Sequence, residues 1–348
     1  MKICLPITAF ILLGGGLFYS LHSPNRGFGE SQQASAEFQG ESGDGFLVSL
    51  GVNSNREIPE SSGLARSSFD EDAFWTLNDS GQASRLFLLG TDGKILGNID
   101  LPEIKNVDWE AMSQFKAGKR SYLLVADVGD NLRRRKNCQL ILVAEPDLSK
   151  LPTAQPATGA KDAALPQIKP NVIPFSYEDG PRNCEAVCVA PSGKHVWLVE
   201  KVDYSQRKST PGIYVLPLST QRNQTPLVAK RIADFPIRNV TGMSFSPDGK
   251  HLIIRNYLNA HLFSRTDDQS WEKTIMSSKP QTVVLPLQRQ GEAICFATDS
   301  EHVILTSEFT GQPIWRLSLK RNIDEFDRDK SKTDPAPTND AKKTIETE

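Results

Sequence analysis

The chain has 348 residues, 38% of them hydrophobic, and 40 basic against 42 acidic side chains leave a formal net charge of -2. That much apolar material excludes a wholly disordered protein and suffices for one large core or two modest ones. The near-neutral balance excludes the electrostatic footprint of a nucleic-acid binder, and the one basic run, Arg133-Arg134-Arg135-Lys136, is too short to supply it.

The chain opens with Lys2 and an uncharged apolar run from Ile3 to Leu21, which predicts an export signal or a single N-terminal membrane anchor over residues 1–21. A small-x-small site at Ala34-Ser35-Ala36 lies far from that run, so cleavage and retention both stay open. Either outcome predicts a protein outside the cytoplasm, touching the membrane only through this segment. Residues 22–44, rich in Gly, Ser and Gln, read as a flexible linker, and residues 323–348, charged and nearly without apolar side chains, as a disordered tail. The folded unit is then 45–322, with a Pro- and Ala-rich surface loop over 151–170.

Inside that unit the sequence repeats. Five segments align: SSGLARS from Ser61, DWEAMSQF from Asp108, NCEAVCVAP from Asn183, NVTGMSFSP from Asn239 and QGEAICFAT from Gln290. Each places a small residue at one position, namely Gly63, Ala111, Ala186, Gly242 and Ala293. The spacing is roughly fifty residues, a blade length, and the one longer interval contains the Pro-rich loop. Each segment precedes a turn with Asp, Ser or Gly and a second strand, as in His195-VWLVEK and His251-LIIRNY, and then a third, as in Gly212-IYVLPL. Fourth strands are expected at Ile95, Val172, Leu227 and Thr282; the last repeat lacks one, which Phe46-LVSLGV supplies by pairing the two termini. The fold expected is an all-β β-propeller of five four-stranded blades, or six if a poorly matching blade surrounds the insertion, with no convincing amphipathic helix.

In a blade the first strand is innermost, and antiparallel alternation brings its start beside the end of the second strand. These places supply Asp108, Glu110, Glu185 and Glu292 from first strands, and Asn78, Asp79, Asp127, Asp130, Asn131, Lys201, Arg255, Asn256 and Glu308 from second strands. They predict an acidic mouth to the central channel. Carboxylate and amide oxygens suit a hard divalent cation such as Ca2+. The competing reading is an ion-pair network in which Lys201, Arg255 and Arg85 neutralise the acids.

His195, His251 and His302 share one repeat position on the opposite face, which argues against a Ser-His-Asp triad at the mouth; His261 alone belongs to the acidic face, as general base or as a rim hydrogen-bonding group. Trp109 is read as a packing residue. Cys188 and Cys295 are expected to be small core residues, whereas Cys138 and Cys184 map to the mouth side of consecutive blades, where an oxidising compartment permits a bridge. Neither CxxC nor a His cluster points to zinc.

The run from Ser61 to Leu101 with its NDSG, then NVDWEAMSQF, VADVGDN and QGEAICFATDSEHVILTSE, resembles a family of secreted bacterial β-propellers of unassigned role over most of residues 57–319. More remotely, the architecture is similar to calcium-dependent lactonases and phosphotriesterases and to propeller phytases. That likeness implies calcium held by Glu110, Asn78, Asp127 and Asn256, with Glu185 and Glu292 beside them, and proton transfer by Asp79, Asp130 or His261. Two functions are carried forward: an envelope-associated binding or scaffold module that takes a protein, glycan or small-molecule ligand at the mouth, and a calcium-dependent hydrolase of an ester, lactone or phosphoester.

Overall fold

The computed structural model describes residues 47–147, 168–221 and 225–320. The expected export segment, linker and tail, and nearly all of the Pro-rich loop, lie outside them. The described residues hold twenty strands and one helix. β1 (Leu47–Asn53) precedes a meander of β2 (Ser61–Arg66), β3 (Ala73–Asn78), β4 (Arg85–Gly90) and β5 (Ile95–Asp100). The second meander is β6 (Trp109–Ala117), β7 (Arg120–Asp127), β8 (Cys138–Ala144) and β9 (Asn171–Tyr177). The third is β10 (Cys184–Val189), β11 (His195–Glu200), β12 (Gly212–Pro217) and β13 (Leu227–Asp234). Then come β14 (Val240–Phe245), β15 (His251–Asn256), β16 (Asn259–Ser264), helix α1 (Trp271–Ser277) and β17 (Gln281–Val284), and finally β18 (Gly291–Phe296), β19 (His302–Ser307) and β20 (Gln312–Ser318).

These strands make three four-stranded sheets and one of eight. The first strands pack side by side in a closed succession, β2 on β6, β6 on β10, β10 on β14, β14 on β18 and β18 on β2. The architecture is β-propeller-like. β1 completes the last sheet by pairing antiparallel with β20, Leu47 opposite Leu317, so the two ends of the described chain share one sheet as expected.

Two features were not expected. The eight-stranded sheet arises because β13 pairs parallel with β9, Leu227 opposite Phe175, joining the outer edges of two meanders. The seven-residue α1 is capped by Ser270, whose side chain accepts from Lys273 N, and buries Trp271 against Phe245.

Local sequence explains the hairpins. In four of the five turns between first and second strands the chain takes a left-handed residue: Gly118, Gly193 and Gly249 supply it, and Ser300 takes that place at φ 60°. Asp248 and Asp299 accept backbone N–H groups of the same turns. Apolar faces of successive meanders then interleave, with Trp75, Trp109 and Trp197 among the largest buried side chains. Trp109 packs with Leu77 and Leu101 as a core residue.

Candidate cation site at the channel mouth

Every first strand carries a β-bulge at its start: register shifts between Ser61 and Gly63, Trp109 and Ala111, Cys184 and Ala186, Val240 and Gly242, and Gly291 and Ile294. A bulge re-aims a side chain. The residues inside these irregularities include Ser62, Glu110, Glu185, Thr241 and Glu292, all buried. The small residue after each is a packing requirement: a Cβ on Gly63 would meet Met112 N of the next first strand at 2.7 Å. Close approach of neighbouring strands thus fixes the repeat, and the bulge places the acids.

On one side of the mouth, carboxylate oxygens of Asp79, Asp108 and Glu110 all lie within 4.8 Å of one another. The segment Asn106–Glu110 is held by Asn106, whose Nδ2 donates to the carbonyls of Asn78 and Asp79 and whose Oδ1 accepts from Trp109 N. Val128 and Gly129 both donate backbone N–H groups to Asp108 O at 3.1 Å. Gly129 closes the floor, since a Cβ there would stand 2.3 Å from Glu110 Oε1 and 2.4 Å from Asp108 Oδ2. Only a residue without a side chain leaves this cradle open.

Across the mouth, Lys201 Nζ pairs with Glu185 Oε1 at 2.5 Å and donates to Tyr257 OH at 2.8 Å, and that hydroxyl donates to Glu292 Oε1 at 3.3 Å. Glu185 Oε2, on a residue 4% exposed, has no hydrogen-bond partner among the described residues. Arg255 is fully buried but, among the described residues, forms no carboxylate ion pair; it donates to Gln288 Oε1 and Ala293 O. Arg85 pairs with Asp100 and Glu57, away from the three acids.

Acids therefore outnumber their partners, and the protonation equilibria register it. Burial, then Asp108 and Glu292, pushes the Asp79 carboxyl up to about 7, against the Ser80 N–H that favours its charge. Burial and the neighbouring Glu185 and Asp79 hold Glu110 well above the usual carboxylate range. Burial raises Glu185 to about 8 even with Lys201 beside it, and burial with Glu292 raises Glu308 to about 9. Lys201 moves the other way from its own burial, held above its usual range by Glu185 and Tyr257. Tyr257 is also raised, first by burial.

The remaining expected residues are engaged elsewhere. Asn78 donates to Glu57 O and accepts from Glu60 N, so its amide secures the loop before β2. Asp127, fully buried, accepts from Arg135 at 2.7 Å, Gln139 Nε2 at 2.8 Å and Asp108 N at 3.2 Å. Asn256 accepts from Leu258 N and Asn259 N to shape the β15–β16 turn. Asp130 accepts from Arg135 N at 2.6 Å. His261 lies along β16, opposite Thr282, with its pKa lowered by burial alone. Cys138 and Cys184 are buried free thiols, and Cys184 Sγ donates to Val199 O at 3.2 Å.

Asp108 belonged to the expected mouth but not to the expected ligand set; the DWE spacing with the bulge between its acids was the available signal. Gly129 stood in the VADVGDN run without a role, and Tyr257 had no signal, because each matters through a contact distant in sequence.

No protein-family model matches the chain, and no curated protein matches it. Among solved structures it is similar to hydrazine synthase of Kuenenia stuttgartiensis, at 12% identity and a TM-score of 0.36 over 72% of this chain and 93% of that one. It is similar to a chain of a nidogen/laminin complex at 12% identity and a TM-score of 0.38, over 71% and 72%. A gluconolactonase from Xanthomonas campestris gives 14% identity and a TM-score of 0.38, over 78% and 89%. None of the three reaches a similarity from which an activity follows.

Proposed function

We propose that the chain is a five-bladed propeller, exported or membrane-anchored through residues 1–21, whose channel mouth binds a divalent cation and, through it, an oxygen-rich group of a protein, glycan or small-molecule partner. Calcium is the cation that an all-oxygen donor set favours, with Asp79, Asp108 and Glu110 as its holders and Glu185 and Glu292 across the channel. One observation carries the reading: three carboxylates converge within 4.8 Å over the bare Gly129, and no described Lys or Arg forms an ion pair with any of them, since Arg135, whose charge acts on Asp108, is paired with Asp127. Like charges at that separation, with Glu110 buried and Asp79 and Asp108 half-buried, call for a counter-charge or a proton.

Binding is favoured over turnover because none of the three expected proton carriers stands free beside the cation cluster. Asp130 is tied to Arg135 N, His261 stands on a third strand, and Asp79 belongs to the cation cluster itself. Lys201 and Tyr257 are both held in their protonated forms. The hydrolase reading becomes testable if the cation binds.

The test is thermal unfolding of the full chain with calcium and with a chelator, for wild type, Glu110→Gln and Gly129→Ala. A cation that binds the native state alone, at a hundred times its Kd, adds about 2.7 kcal/mol of stability. The expected result is a rise of several degrees in wild type and none in either variant. No rise in wild type sinks the proposal, and an equal rise in all three places the ion elsewhere. Calcium-dependent turnover of an ester, lactone or phosphoester would replace binding with hydrolysis.

A further inference from the structure

The far end of the first strands, away from the acids, opens on a cavity of 410 Å³. That volume lies within the range of small-molecule sites. Between this cavity and the acidic mouth lies a second void of 10 Å³, lined by Leu64, Met112, Val187, Met243 and Ile294 toward the cavity and by Glu185 toward the acids. Its lining contains Arg66 and Lys116 and not one carboxylate.

Arg66, the last residue of β2, is the feature that asks for a ligand. Among the described residues its guanidinium makes no hydrogen bond and no ion pair, although burial has stripped enough water from it to lower its pKa. Glu145, a nearby acid acting on it, is committed: Oε1 accepts from Trp75 Nε1 and Ser68 N, and Oε2 from Ser121 Oγ. Half-buried and without a protein acceptor among the described residues, the guanidinium faces the cavity open to an acceptor from a bound group. Ser113, half-buried in the same lining, has a hydroxyl that accepts from Val189 N and whose hydrogen has no acceptor among the described residues. Phe115 and Phe245 give the wall apolar faces between these polar groups.

We propose that this cavity is a second binding site, for a small hydroxylated organic anion of the sugar-acid or sugar-phosphate class, with its carboxylate or phosphate on Arg66 and Lys116 and with Ser113 donating a hydrogen bond. A planar guanidinium fork suits either oxyanion. The aromatic faces suit a ring bearing hydroxyls at its edge. The site is independent of the cation at the mouth.

The experiment is calorimetric titration of the full chain with D-glucuronate and with D-glucose 6-phosphate, and with D-glucose as the neutral control. At least one anion should bind and glucose should not; which anion binds separates the carboxylate from the phosphate source. Arg66→Ala should weaken binding at least about tenfold, the loss expected for a charge-assisted hydrogen bond. Arg66→Ala should keep its unfolding temperature, because the guanidinium holds nothing in place. Lys116→Ala, at an exposed position, should weaken binding by about threefold and serves as a second variant should Arg66→Ala misfold. Glu110→Gln should bind the anion as wild type does. Failure of both anions to bind, equal binding of glucose, or undiminished affinity in Arg66→Ala and Lys116→Ala would each overturn the proposal.

Discussion

Asp127 and Glu110 are both buried carboxylates of the second meander, 0% and 3% exposed, and their surroundings give them opposite energetics. Asp127 has a guanidinium, an amide and a backbone N–H around it. Glu110 has other acids and a 3.4 Å contact from Ser62 Oγ. Asp127→Asn removes one partner of an inward ion pair and should cost about 2 to 4 kcal/mol with or without calcium. Glu110→Gln removes a like charge and should raise the unfolding midpoint in chelator while abolishing the calcium response. Urea unfolding of both variants in chelator checks the contrast, and destabilisation of both would mean that Glu110 is as well satisfied as Asp127. The sequence places both residues at strand ends near the mouth and goes no further. What separates them is Arg135 folding back from a loop onto Asp127, and the Gly129 backbone leaving room beside Glu110.

At the level of strands and turns, legibility follows the range of the interaction. Turn residues such as Gly193 and Gly249 act locally, and the small residue after each bulge leaves a repeating mark, so the first, second and third strands are readable from the chain. The parallel joining of β9 to β13 leaves no mark, because backbone pairing along outer edges asks for no particular side chain. Helix α1 is too short for a helical period to show, and it exists through the Ser270 cap and the burial of Trp271. Closure by β1 was readable only as a missing fourth strand. Its energetic weight is predictable: β1 covers the edge of β20, where Ile314 and Leu317 are fully buried. Deleting residues 1–53 should uncover both and cost about 3 to 6 kcal/mol, taking about 1.5–3 kcal/mol per large aliphatic side chain as an upper estimate. Denaturant unfolding of the truncated chain measures it. A truncated chain as stable as the full one would mean that β1 seals nothing.

Taken as a whole, the molecule gathers raised carboxyls at one end of its first strands and a carboxylate-free cavity with Arg66 and Lys116 at the other, and the raised carboxyls should make its stability depend on pH in a definite direction. Folding raises Asp79 to about 7, Glu185 to about 8 and Glu308 to about 9, whereas unfolded carboxylates titrate near 4. Between roughly pH 5 and pH 9 the folded chain thus holds more protons than the unfolded one, so the free energy of unfolding falls as pH rises. Lys201 adds no slope in this window, since its raised ionisation lies above it. In chelator the unfolding midpoint should drop by several degrees between pH 5.5 and pH 9. Calcium competes with those protons, so the stabilisation it gives should be small at pH 5.5 and grow with pH. Glu110→Gln should flatten the slope in chelator and remove the calcium effect at every pH. A midpoint in chelator that holds level or rises across this range would mean that the mouth acids are ionised and fully paired, and the ion-pair network would then replace the cation as the reason for their convergence.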